Sequence, residues 1–184
     1  EPGVGKTRLL DELVRRLDPG RHSLLTGTCE NQRGGEPLQP LLQGLRSALG
    51  VAETPVGAED VQRLRQSLQD ALAGSDGLEV ASAETELLES SNALLSLAGA
   101  APPRERVRTL VCLTRVLARG RMTVLVIDDW QWVDDASRQA LQAIVAQVSP
   151  LVVLVAERAD YHDEDPALAD AESLDLQPLD DAEG

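Results

Sequence analysis

Apolar residues recur along this chain with two different periods. Between Lys6 and Leu17 they stand at positions 9, 10, 13, 14 and 17, the spacing that lines one face of a helix. Asp18-Pro19-Gly20 closes that segment as a turn, and His22 to Cys29 follows as a short run of β character. Pro37 to Leu49 returns to the helical period, with Leu38, Leu41, Leu42, Leu45 and Leu49 on one face. Two or three further helices are predicted, near 58–73, 83–98 and 104–119, separated by Pro55, the Gly74–Gly77 region and Pro102-Pro103.

The pattern then changes. Met122 to Ile127 is almost continuously apolar and runs into Asp128-Asp129, as expected of a parallel strand buried on both faces. Ala136 to Val148 is helical again, with Asp134 or Asp135 placed to cap its first turn. Leu151 to Ala156 reads as a second buried strand ending at Glu157-Arg158, and Ser173–Leu176 as a short last strand. Strands alternating with helices predict an α/β fold whose parallel sheet is covered by helices in three layers. The helical block over 37–119 is long for one crossover and is read as an insert beside the sheet.

Composition narrows this picture. The 184 residues suit a single domain with a core of its own. There is no Phe, and Tyr161, Trp130 and Trp132 are the only aromatic rings beyond two histidines, so the core is aliphatic. The formal charge is −14, which argues against direct nucleic-acid contact. It is unevenly spread: residues 159–184 hold ten acids and no Lys or Arg, leaving −4 elsewhere (17 basic minus 21 acidic). That acidic C-terminal segment reads as a solvated end. Cys29 and Cys112 form no disulfide framework or metal spacing, which fits a reducing, cytoplasmic setting. No apolar run approaches the roughly 20 residues that span a bilayer. Opening without Met, inside a motif, and ending on Asp-Asp-Ala-Glu-Gly, the chain is expected to be one domain excised from a larger protein.

The motif at the start is Glu1-Pro2-Gly3-Val4-Gly5-Lys6-Thr7, directly before a helix. It matches the phosphate-loop pattern GxxxxGK[ST], with the first glycine falling one residue before Glu1. On the loop through Pro2, Gly3, Val4 and Gly5, small residues let backbone N–H groups turn inward and wrap a phosphate. The positive end of the following helix, opening through Lys6, Thr7 and Arg8, points at the same anion. Lys6 is placed for the β- and γ-phosphates of a nucleoside triphosphate and the Thr7 hydroxyl for Mg²⁺. Of 17 basic residues, Lys6 is the only lysine. General positive charge here is carried by Arg, and the one compact ammonium stands where a phosphate needs it.

A second motif is Val124-Leu125-Val126-Ile127-Asp128-Asp129, four apolar residues followed by two acids. Asp128, at the end of the strand, is placed to hold Mg²⁺ through a hard oxygen, and Asp129 to orient a water. Arg158 ends the next predicted strand. In a parallel sheet the strand C-termini gather at one edge, where ligands bind, so Arg158 is expected to face the γ-phosphate there. ATP or ADP with Mg²⁺ is the cofactor these positions imply. A GTPase is disfavoured, because guanine recognition by Asn-Lys-x-Asp needs a second lysine.

Together with Leu151–Arg158 and Leu176-Gln177-Pro178-Leu179, in this order, the stretches Pro2–Leu10 and Ile127–Ser137 resemble the AAA-like P-loop ATPase domains of the signal-transduction class with numerous domains. Those domains occur in large LuxR-type transcription regulators and beside adenylate cyclase or protein kinase domains. The resemblance covers nearly the whole chain. It implies a nucleotide switch with Lys6 and Thr7 at phosphate and metal, Asp128 at the metal, Asp129 near the water and Arg158 as a sensor. Flanking domains of the parent chain, and self-association in the ATP state, are the partners it implies. The strand preceding the loop and the helical lid of that family lie outside this sequence, and Asp129 stands where the wider group commonly has Glu, which implies slow hydrolysis. Two other readings remain at this point: a nucleotide-binding adaptor without turnover, and a small-molecule kinase on a P-loop core.

Overall fold

A computed structural model of the chain describes residues 5–31, 37–50, 62, 66, 103–158 and 165–177. The helices expected near 58–73 and 83–98 lie outside the described residues, as do Pro2, Gly3 and Val4.

The most apolar stretch becomes the centre. β2 (Met122–Asp128) has Thr123 to Ile127 all buried, and it is flanked on both sides by parallel partners. On one side β1 (His22–Thr28) runs in register from His22 opposite Met122 to Thr28 opposite Asp128. On the other, β3 (Leu151–Val155) runs from Leu151 opposite Thr123 to Val155 opposite Ile127. The order β1-β2-β3 puts a helical connection at each crossover, as parallel pairing requires. The fold is therefore α/β with a parallel sheet, as the alternation of periods predicts.

β3 corrects one expectation. Leu151 to Ala156 is expected to be a buried strand, yet only Ala156 is buried: Leu151, Val153, Leu154 and Val155 are half-buried and Val152 is 40% exposed. Among the described residues β3 has a strand neighbour on one side only, so its hydrophobic run is less enclosed than that of β2. A second correction concerns Ser173–Leu176, which forms no strand. Leu174 is 78% exposed there, and two apolar residues in an acidic stretch give a strand little to bury.

Four helices are described: α1 (Lys6–Arg16), α2 (Gln39–Leu49), α3 (Pro103–Leu117) and α4 (Asp135–Gln147). The leucine face expected on α2 is the buried one, with Leu38, Leu41, Leu42, Leu45 and Leu49 at 1–2% exposure. Together with Leu110, Leu113 and Val116 of α3 and Ala140, Leu141 and Ile144 of α4, it packs on Leu25, Leu125 and Ile127 of the sheet. Val124 and Val126, pointing to the opposite face, are buried at 4% each. Trp130 is the largest side chain in the core, at 1% exposure, so the core is aliphatic around a single indole. α1 differs from the others. It buries no residue completely, and Leu9 and Leu13 of its apolar face are 46% and 37% exposed.

The approach of α2 to β1 depends on two glycines. A Cβ on Gly27 would lie 2.0 Å from the Pro40 carbonyl oxygen, and one on Gly44 3.1 Å from the Thr26 nitrogen. The contact at Gly27 is with backbone, which has little room to yield. Gly27→Ala is expected to destabilise the protein by about 3 kcal/mol, at the upper end of overpacking costs, as read from urea unfolding. A change below about 0.5 kcal/mol contradicts this packing.

Candidate functional site

The ends of α1 and β2 meet although 121 residues separate them. Gly5 precedes α1 with φ +88°, a left-handed conformation in which a side chain is strained whatever the space around it. Among the described residues no side chain caps this end of the helix, so its first N–H groups stay available to an anion. Within the first turn, the Thr7 hydroxyl donates to Asp128 Oδ2 at 2.6 Å. Asp128 is the last residue of β2, and its other oxygen, Oδ1, accepts from the Asp129 N–H at 2.8 Å. Thr7 and Asp128, the two residues predicted to share a metal, are thus in direct contact.

The chain turns sharply after Asp128. Asp129 is left-handed at φ 56°, which an Asp tolerates better than most residues. It opens a 3-10 turn over Trp130–Trp132. The Trp130 N–H donates to Ala156 O at 2.9 Å, tying the turn to the end of β3, and the Cys29 N–H donates to Asp128 O at 3.0 Å, tying it to the end of β1. Asp129 Oδ1 accepts from Gln131 Nε2 at 2.7 Å. The Gln131 Oε1 is buried and has no hydrogen-bond partner among the described residues; such an acceptor costs about 1–3 kcal/mol.

Two more acids brace this turn. Asp134 is the N-cap of α4, its Oδ1 accepting from Ser137 N at 2.9 Å and its Oδ2 from Ser137 Oγ at 2.5 Å. The same Oδ2 accepts from Leu38 N at 3.3 Å, where Leu38 is itself left-handed at φ 71°. Of the two acids expected to cap α4, Asp134 does so. Asp165 Oδ2 accepts from Trp130 Nε1 at 2.8 Å and from Arg138 Nε at 3.0 Å, with its side chain only 8% exposed. Its Oδ1 caps a short 3-10 turn (Pro166–Leu168) through Ala167 N at 2.9 Å. A sequence reading that treats 159–184 as a solvated end misses Asp165. It also misses Gln131, whose contact with Asp129 depends on a left-handed residue that no local pattern announces.

The remaining predicted residues are placed but not joined. Lys6 is half-buried at the start of α1 and Arg8 is exposed, and no described carboxylate pairs with Lys6. Arg158 is half-buried beyond β3, at the same sheet edge as Asp128. No described residue forms an ion pair with it, and no hydrogen bond joins it to Thr7, Asp128 or Asp129. Cys29 reports the local electrostatics. Burial first, then the negative charges of Asp134, Asp129 and Asp128, push its thiol from 9.0 up to about 12, against a smaller opposing effect of Arg138. A field of that sign at the strand ends favours a cation.

The donor set fits a hard divalent cation. A hydroxyl and a carboxylate oxygen, 2.6 Å apart, are ligands that Mg²⁺ accepts, the rest of its shell coming from waters and phosphate oxygens. No cluster of three His, Cys, Asp or Glu that could hold a metal ion exists among the described residues. Among the described residues, no helix is long and apolar enough to cross a membrane.

Comparison with known proteins places these features in a wider group. The AAA ATPase domain family matches residues 1–174. An uncharacterised protein of Rhizobium meliloti (strain 1021) is 27% identical over 187 aligned residues, covering 98% of this chain. The chain spans only 18% of that relative's length. No solved structure matches it.

The raised Cys29 pKa has a sign that can be measured. Between pH 9 and about 12 the folded state keeps a proton that the unfolded state loses, so stability tied to this thiol is complete below pH 9 and declines above it. The stability difference between wild type and Cys29→Ala is expected to shift against wild type when urea unfolding is moved from about pH 8 to about pH 10.5. An unchanged difference contradicts the acidic environment described.

Proposed function

This chain belongs to the AAA ATPase domain family, and on that premise we propose that it is an ATP-binding, slowly hydrolysing switch domain of a larger signalling or transcription-regulatory protein. The observation that carries the reading is the Thr7–Asp128 hydrogen bond. It joins the residue after the lone lysine to the acid that ends the central strand. That is the pairing a metal-bridged triphosphate needs, and a chance glycine-rich turn gives no reason for it.

Each residue then has a role set by its position. The loop through Pro2, Gly3, Val4 and Gly5 wraps the phosphates with the backbone N–H groups that follow Pro2, and the start of α1, with Arg8 beside it, faces the same charge. Lys6 places its ammonium on the β- and γ-phosphates. Thr7 Oγ1 and Asp128 Oδ2 are the oxygens that would hold Mg²⁺, which would supply neutralisation of charge on the transferred group. Asp129, held beside Asp128, orients the attacking water. Arg158, with no ion pair among the described residues, is free to report the γ-phosphate. Hydrolysis removes the γ-phosphate contacts of Lys6 and Arg158, and the domain arrangement they favoured is released.

The shorter Asp at position 129 supports slow turnover, and slow turnover suits a switch better than a motor or a kinase. Residues 1–184 act as one domain in this reading, with 37–119 as a helical insert beside the sheet and 159–184 as its acidic end. Flanking domains of the parent chain are its partners, and self-association in the ATP state follows if a neighbouring copy senses Arg158. The much greater length of the Rhizobium relative supports a multidomain setting.

The test follows Trp130 and Trp132 fluorescence while Mg-ATP is titrated into the purified protein, with phosphate release measured in the same samples. Saturable binding is expected, with release slower than the roughly 1 per second at the low end of ordinary enzymes. Lys6→Ala is expected to weaken binding about tenfold or more, or about 1.4 kcal/mol. Binding without release favours the adaptor, and equal binding by wild type and Lys6→Ala rejects the phosphate-loop assignment.

A further inference from the structure

The sequence assigns no role to Gln131, yet its side chain touches Asp129. We infer that Gln131 is a positioning residue for hydrolysis, fixing the Asp129 carboxylate by one oxygen so that the other faces the attacking water. The inference rests on Asp129 acting on that water, the role proposed above, and it adds how the shorter acid is held in place.

The geometry argues for this in three steps. First, the Asp129 carboxylate has its Oδ1 occupied by Gln131 Nε2 at 2.7 Å, and no hydrogen bond engages Oδ2 among the described residues. The acid is therefore held on one side and available on the other. Second, the amide orientation is dictated by chemistry. Turning Gln131 over would set its carbonyl against a carboxylate, two acceptors face to face. The N–H₂ must point at Asp129, and this leaves Oε1 in a buried position without a partner among the described residues. Third, that arrangement is poor for stability. A leucine of similar size would avoid the unsatisfied acceptor and fill the same space. A buried polar group kept at a loss to stability marks a functional constraint.

Position explains how Gln131 reaches the acid. Asp129 is left-handed at φ 56° and opens the 3-10 turn. That turn is anchored to the chain after β3, where the Trp130 N–H donates to Ala156 O at 2.9 Å, and is closed internally by the Trp132 N–H donating to Asp129 O at 3.0 Å. Gln131, two residues on, is carried by a rigid three-residue unit and folds back over the carboxylate that opens it. Asp128 is already fixed by Thr7 and the Asp129 N–H. Gln131 does for the second acid what Thr7 does for the first. With an Asp in place of a longer Glu, the reach to a water is shorter and freedom of rotation matters more.

The test compares wild type with Gln131→Leu. Thermal unfolding of the nucleotide-free protein, affinity for a non-hydrolysable ATP analogue, and steady-state phosphate release are measured for both. The expected result is a split. The unfolding midpoint of Gln131→Leu equals or exceeds that of wild type, analogue affinity and KM stay within about twofold, and kcat falls about tenfold or more. In an Asp129→Asn background, the same substitution is expected to lower kcat by less than about twofold, because the acid it positions is gone. Unchanged kcat in Gln131→Leu, an equal loss in the Asp129→Asn background, or a fall in stability and analogue binding alongside kcat each overturns the inference. Wild type binding the analogue but releasing no phosphate overturns the hydrolysis reading itself, and the role of Gln131 with it. A wild type that turns over while Gln131→Leu matches it overturns only the role of Gln131.

Discussion

One hydrogen bond, from the Thr7 hydroxyl to Asp128 Oδ2, joins the two halves of the site. α1 buries none of its residues completely, so little hydrophobic burial fixes where its first turn lies. The contact with Asp128 registers that turn against the end of β2. β2 is itself the most deeply buried strand, paired on both sides. A poorly buried helix carrying the lysine is thereby referred to the most rigid element of the sheet. That arrangement suits a site in which ligand contacts are meant to change.

The acidic turn after β2 is held by a different logic. Four carboxylates, Asp128, Asp129, Asp134 and Asp165, lie in or against it, and each is assigned to its own donors: Thr7 with the Asp129 N–H, Gln131, Ser137 with the Leu38 N–H, and Trp130 with Arg138. Burial first, and then the negative charges of Asp134, Asp129 and Asp128, raise the Cys29 pKa. A site that is negative when empty is ready for a cation that arrives with a phosphate. Asp165 extends this order beyond the sheet, because it binds the indole of the turn on one oxygen and caps Pro166–Leu168 with the other.

Much of this was legible in the sequence for physical reasons. Continuous burial of Val124–Ile127 and the leucine face of α2 follow from periods that a single element sets by itself. The pairing of Thr7 with Asp128 was legible because each sits at a chain position, helix start or strand end, where a charged ligand is met. What was not legible depends on contacts between elements or on unusual backbone. β3 reads as apolar as β2, but its exposure is decided by how many strands flank it. Gln131 reaches Asp129 only because Asp129 adopts a left-handed φ. Asp165 sits in an acidic run whose composition suggests solvent, and only Trp130 and Arg138 together withdraw it from water.

The central claim is that Thr7 and Asp128 form a metal seat for a bound nucleotide and not merely a structural contact. It is tested most directly by measuring ATP affinity by calorimetry with and without Mg²⁺, in wild type and in Asp128→Asn. The account predicts that Mg²⁺ tightens ATP binding to wild type about tenfold or more, and that Asp128→Asn loses this gain while keeping its Mg²⁺-free affinity within about twofold. Asp128→Asn retaining the full Mg²⁺ enhancement would contradict it.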